Sequence, residues 1–168
     1  EWVEGIRVFP RARPRQMLRI FTRRFARPED VLGEARMYSL VETYLGAGHI
    51  AASSEFVVEY IRAGRREILL CGLQDFVEGE ILDPWDFVYA GHLSELCGRL
   101  PVTSDGVVEE RVRKARESAE SLLTRLKQMV MAARYIPDLS GIGNLILTPS
   151  GNIRLVDINN ITKVAVDD

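Results

Sequence analysis

The run Tyr135 to Asn160, YIPDLSGIGNLILTPSGNIRLVDINN, constrains the fold more than any other part of the chain. Leu145 to Leu147 is a short apolar run, Pro149-Ser150-Gly151-Asn152 is turn chemistry, and Ile153 to Val156 resumes a strand. Together they predict a tight β-hairpin. Antiparallel pairing brings Asn144, just before the first strand, to the same end as Asp157, just after the second. An amide oxygen and a carboxylate are hard ligands. The pair suits Mg²⁺, which takes one or two protein groups and fills its shell with phosphate oxygens and water. Asn and Asp also favour turns and strand ends for purely local reasons.

Upstream of this hairpin the sequence is strand-rich. Glu4 to Phe9 and Gln16 to Phe21 read as strands joined through the basic turn Pro10 to Arg15, an N-terminal hairpin. Alternation puts Met17, Arg19 and Phe21 on one face of the second strand, and an arginine between apolar neighbours needs a partner. A helix starts at Arg27-Pro28-Glu29-Asp30, with Val31, Ala35, Tyr38, Val41 and Leu45 on its apolar face, and Gly46-Ala47-Gly48 ends it. Phe56 to Ile61 and Glu67 to Leu73 are two more strands around the turn Arg62-Ala63-Gly64-Arg65. A polar exit, Gln74-Asp75-Phe76-Val77-Glu78-Gly79, leads into helical sequence. One helix is expected over Pro84 to Leu100, with Phe87, Ala90, Leu93 and Leu96 at helical spacing. A longer one opens at Ser104-Asp105-Gly106 and runs to about Ala133. Its stripe of Val112, Ala115, Ala119, Leu122, Leu126 and Met129 is expected to lie beneath the Asn144–Asp157 hairpin.

Charge and composition exclude several classes. A net charge of −2 gives no general attraction to nucleic acid or anionic membrane. No apolar run approaches the ~20 residues of a membrane span, and no signal peptide is evident. Cys71 and Cys97 lack metal-ligand spacing and read as reduced core thiols of a cytoplasmic protein. With His49 and His92 they make no zinc site.

The hairpin resembles the catalytic loop and metal-binding strand of the protein-kinase-like superfamily, which includes small-molecule phosphotransferases. Asn144 and Asp157 match the family's metal pair at the family's spacing. Asp138 matches its catalytic aspartate, with one extra residue in the Ser140–Gly143 loop. Ile136-Pro137 and Ile158-Asn159 depart from the usual flanking motifs. "Leu18-Arg19-Ile20-Phe21" resembles the strand that carries the family's phosphate-binding lysine, with Arg19 in its place. "Gly33-Glu34-Ala35" resembles the helix segment whose glutamate pairs with it. Arginine is not equivalent to lysine at a phosphate, so Arg19 either contacts phosphate or braces the helix. Gln74-Asp75-Phe76-Val77-Glu78-Gly79 resembles the hinge, with Gln74 at the back of the adenine pocket and Asp75, Phe76 and Val77 facing the base.

The resemblance implies an α+β, two-lobed protein-kinase-like fold. Residues 1–78 would form an N-lobe of strands and one helix, and 79–168 a minimal, mainly helical C-lobe. It implies ATP and Mg²⁺ as cofactors, and phosphoryl transfer to a hydroxyl on a small-molecule acceptor. No G-x-G-x-x-G precedes the Arg19 strand, and eleven residues follow Asp157. Arg19, the Asp138 spacing and the lack of a glycine-rich loop support the alternative, a pseudokinase: a kinase-shaped binding or regulatory module without turnover, with a protein partner.

Overall fold

The computed structural model describes residues 2–4, 6–7, 13–85, 91–101, 108–158 and 160–165. In chain order the elements are β1 (Trp2–Val3), β2 (Ile6–Arg7), β3 (Gln16–Phe25), α1 (Pro28–Leu45), β4 (Ser53–Arg62), β5 (Arg65–Asp75) and β6 (Glu80–Leu82). Then follow α2 (His92–Arg99), α3 (Val108–Ala133), β7 (Tyr135–Pro137), β8 (Leu145–Leu147), β9 (Ile153–Leu155) and β10 (Ile161–Lys163). The chain is mixed α/β, with all named strand pairs antiparallel and three helices among the described residues.

The largest sheet is organised by a two-residue turn. Ala63 and Gly64 both have positive φ (49° and 76°), the conformation that matches strand twist in a tight hairpin. That turn pairs Arg62 with Arg65 and fixes everything along β4 and β5, down to Glu55 opposite Gly72 and Ser53 opposite Gln74. On the other side β3 pairs with β5, Arg19 opposite Gly72 and Met17 opposite Gln74. The order is therefore β3-β5-β4. A register shift between Ile20 and Arg24 bulges β3, re-aiming its last residues as bulges do.

The predicted N-terminal hairpin is corrected. Trp2–Val3 pairs with Ile6–Arg7 instead, and β3 takes β5 as its partner. Pairing with β5 lets Phe21 and Phe25 bury against Ile68, Leu70 and the apolar face of α1, a gain of about 2 kcal/mol per buried side chain. Residues 8–12, including Pro10 to Ala12, lie outside those described.

Helix α1 runs as expected from Pro28 to a C-cap at Gly46 (φ 69°), burying Val31, Tyr38, Val41 and Leu45. Of the expected Pro84–Leu100 helix, the described residues show His92–Arg99 as helical. Before it, Asp83 to Trp85 form a turn in which the Asp83 carboxylate accepts the Trp85 N–H at 2.9 Å. Phe87, Ala90 and the Ser104-Asp105-Gly106 opening lie outside the described residues.

Helix α3 buries Ala115, Leu122, Leu126 and Met129, with Val112 and Ala119 half-buried, and the stripe does lie beneath the hairpin. The Ser118 hydroxyl accepts the Ile153 N–H at 2.9 Å. Gly151 (φ 86°) comes so close to α3 that a Cβ there would sit 2.9 Å from Lys114 Cβ. The buried Arg111 donates to the Leu100 and Pro101 carbonyls just past α2, as a cation near a helix C-terminus should.

Strand β6 adds to the hairpin to give β6-β8-β9, and β10 pairs with β7. Neither β6 nor β10 was expected; each is three residues long and has no alternation to read. One continuous apolar cluster runs through both halves, from Phe21 and Ile68 to Leu147, Leu155 and Ile158.

Candidate functional site

Register places the hairpin residues. Leu145 pairs with Leu155 and Val156 N–H donates to the Asn144 carbonyl at 2.8 Å, so Asn144 and Asp157 stand at one end of β8-β9 as expected. Asn144 is buried. Its Nδ2 donates to the Asp138 carbonyl at 2.9 Å, tying this amide to the loop that carries Asp138. Gly141 makes room for it, since a Cβ at 141 would sit 2.6 to 2.8 Å from the Asn144 amide group.

Asp138 is half-buried. One carboxylate oxygen, Oδ1, accepts the Ser140 N–H at 2.8 Å and the Ser140 hydroxyl at 2.7 Å. These two bonds, helped by the Asn160 side chain and the Gly141 N–H, hold its pKa below the ordinary carboxylate value. It is ionised at neutral pH, an orienting acceptor more than a strong base.

Gln74 joins the large sheet to the hairpin. It is 2% exposed and its Nε2 donates to the Val156 carbonyl at 2.8 Å, next to Asp157. Its Oε1 is buried without a hydrogen-bond partner. Beside it on the same sheet face lies Arg19, opposite Gly72 as Gln74 is opposite Ser53.

The Arg19 side chain is 12% exposed. Its Nη2 donates to Glu55 Oε1 at 3.0 Å and to Ser53 Oγ at 2.9 Å, and its guanidinium stands 5.2 Å from the Phe21 ring centroid. Two further N–H groups, Nε and Nη1, are buried and unmatched. Burial pulls the guanidinium below its ordinary value, opposed by Glu55 and then by Asp157. It remains a cation, and it lies within the field of Asp157.

The expected Arg19–Glu34 pair is corrected. Glu34 bonds Arg23 at 3.0 Å, while Arg19 takes Glu55. The reason is geometric. Gly72 has no side chain on the central strand, so the Arg19 guanidinium can cross it, 3.1 Å from where a Cβ would stand, and reach β4. The bulge after Ile20 meanwhile brings Arg23 to the helix glutamate.

Tyr38, read from sequence only as a core residue, sits among these charges. It is 3% exposed, its ring 5.0 Å from that of Phe21. Burial, then the negative charges of Glu34, Asp157 and Glu55, push its hydroxyl well above the ordinary phenol value, against the opposing effect of Arg19.

At the hinge segment, Asp75 N–H donates to the Ala52 carbonyl at 2.8 Å and Phe76 N–H to the Arg15 carbonyl at 2.9 Å. Two N–H groups expected to face a base are thus spent inside the protein. Among the described residues no backbone hydrogen bond engages the Val77 N–H. Phe76 is exposed and Val77 half-buried.

Sequence reasoning missed Ser53, Glu55, Tyr38 and Ser140. The first two were within reach, because the Ala63-Gly64 turn dictates that Glu55 opposes the only glycine of β5. No group of three or more His, Cys, Asp or Glu side chains among the described residues could hold a metal ion. A cation here would rest on Asn144, Asp157 and ligand oxygens. No helix among the described residues is long and apolar enough to cross a membrane.

No family model matches the chain, and no curated protein matches it. Among solved structures it is similar to the ROP18 kinase domain in complex with AMP-PNP and sucrose. The identity is 14% and the TM-score 0.41, over 88% of this chain and 45% of that one. The chain spans less than half of that domain, and a likeness of this degree carries no argument about activity.

Proposed function

We propose that the chain is a kinase-like ATP- and Mg²⁺-binding domain, with residues 1–78 as its strand-rich lobe and 79–168 as its hairpin-bearing lobe. The observation that carries the reading is the unmatched polar set at their junction. Arg19 presents two buried N–H donors and Gln74 one buried carbonyl on a single sheet face. Burying such groups unpaired costs roughly 1–3 kcal/mol each. A phosphate-bearing ligand with an N–H-bearing base offers acceptors to the first and a donor to the second. The residues present fit a hard cation as well: the Asn144 nitrogen is engaged by Asp138, which leaves its oxygen to join the Asp157 carboxylate.

Phosphoryl transfer is the activity this arrangement supports best. Asp138 would orient an acceptor hydroxyl and receive its proton. The hydroxyl oxygen forms the new O–P bond as the bond to ADP breaks, and ADP leaves with the electron pair. Bound Mg²⁺ would supply charge neutralisation of the phosphates. Arg19 would add its cation on the sheet side, and Val77 would offer its N–H to the base.

Two features favour the second reading, a pseudokinase that binds nucleotide and acts through a protein partner. Arg19 is already neutralised by Glu55, and the Asp138 carboxylate is occupied by Ser140. Titration calorimetry of ATP with Mg²⁺ tests the shared claim. Arg19→Met should weaken ATP at least tenfold while leaving adenosine binding unchanged. Equal loss of both ligands would mean that Arg19 acts on the fold and not on phosphate.

A further inference from the structure

A cavity of about 530 Å³ opens beside Asp138, between Pro84-Trp85 and the loop following β7. Its volume is in the range of small-molecule sites. Its lining is chiefly apolar, with Pro84, Trp85, Ile136 and Leu139 as walls, and Asp138, Asn160, Ser140 and Thr162 supply its polar groups. Trp85 is 68% exposed although its backbone is fixed by the Asp83 carboxylate. A large exposed aromatic face lining the same cavity as a carboxylate makes an amphiphilic surface, apolar with a hydrogen-bonding group. Leu139 and Ile136 are half-buried and complete the apolar side.

We infer that this cavity takes a small alcohol with an apolar, aromatic body, stacked on Trp85 with its hydroxyl on the Asp138 carboxylate. The inference rests on the phosphotransferase reading and names the acceptor class of that site. A polyhydroxylated acceptor is disfavoured, since each hydroxyl placed against Pro84, Ile136 or Leu139 would lose water without gaining a partner. In transfer, the bound hydroxyl oxygen bonds to the terminal phosphorus of ATP and its proton passes to Asp138. The bond from that phosphorus to ADP breaks, giving an aryl-alkyl phosphate.

Saturation-transfer NMR with 2-phenylethanol, and with glycerol as the polar control, tests the occupant without nucleotide. Saturable binding of 2-phenylethanol is expected, weakened at least fivefold in Trp85→Ala, with no binding of glycerol. Trp85 is on the surface, so this variant keeps the fold, which a circular dichroism melt confirms. Equal binding of both alcohols, indifference to Trp85→Ala, or no binding at all would overturn the inference. Adding ATP and Mg²⁺ and looking for the phosphorylated alcohol separates the two claims. Binding without product retains the ligand class and removes the transfer reading.

Discussion

Arg19 on β3 and Glu55 on β4 pair at 3.0 Å across the central strand of their sheet, over the missing side chain of Gly72. Two strand spacings separate their backbones, roughly 9.6 Å, so only two long side chains over a glycine can meet there. The pair fixes the buried guanidinium on the face that carries Gln74 and points toward Asp157.

This pair should dominate the local electrostatics of stability. Glu55→Ala leaves a buried cation uncompensated and is expected to cost about 3 kcal/mol in urea unfolding. The double change Arg19→Met with Glu55→Leu should recover most of that loss, because it removes both charges. Glu34→Ala, by contrast, breaks an ion pair whose Arg23 side chain is 68% exposed, and should cost about 1 kcal/mol or less. Equal costs for Glu34→Ala and Glu55→Ala would refute the rewired pairing.

Gly141→Ala should act on Asn144 without unfolding the domain. A Cβ at 2.6–2.8 Å from the Asn144 amide forces that short, buried side chain away from Asp138. Binding of ATP with Mg²⁺ is expected to fall at least tenfold, with a smaller loss for ATP alone. A variant that binds both as the parent does would remove Asn144 from the proposed metal site.

The pH dependence of stability should carry a histidine signature. His49 is buried between the Ile153 carbonyl and the Ser121 hydroxyl, at 3.3 and 2.9 Å. Burial pushes its pKa below the ordinary value; the Ile153 carbonyl opposes this, and the charges of Arg125 and Arg154 add to it. The unfolded chain therefore takes up a proton near pH 6.5 that the folded chain refuses. Stability is full above that pH and is lost as the pH falls below it, toward the folded value. His49→Gln should flatten the urea midpoint between pH 7.5 and 5.5; an unchanged slope would assign the dependence elsewhere.

Asp138→Asn separates catalysis from binding. The change keeps the size and the acceptor for Ser140 but removes the charge that, in the proposed reaction, would receive the proton. Phosphoryl transfer to an alcohol, followed with labelled ATP, should fall by at least a hundredfold while nucleotide binding stays within about twofold. Transfer at the parent rate would take Asp138 out of the chemistry.

Much of the site could be read from the sequence because local rules fixed it. Turn residues at 149–152 set the hairpin, and antiparallel pairing then forces Asn144 and Asp157 together whatever surrounds them. Helix α1 was equally plain, its apolar spacing and end signals agreeing. The Arg19 partner was misread because a family pattern was used where register was available: the 63–64 turn, counted back, puts Glu55 beside Gly72. The N-terminal hairpin failed for the opposite reason. Two neighbouring strand-like runs suggested pairing, but burial of Phe21 and Phe25 needed β5 and α1, and tertiary packing overrode proximity. The β10–β7 pair has no local signal at all, since three residues carry too little pattern to mark a strand.

The measurement that bears most directly on the account is thermal unfolding with ATP and Mg²⁺ together, beside each alone, in the parent and in Asp157→Ala. Ligand at about a hundred times its dissociation constant adds ~2.7 kcal/mol of stability. The account predicts a clear rise in Tm that is larger with both ligands than with either alone, the Mg²⁺-dependent part disappearing in the variant. No rise at millimolar nucleotide, or a rise that Asp157→Ala leaves intact, would contradict it.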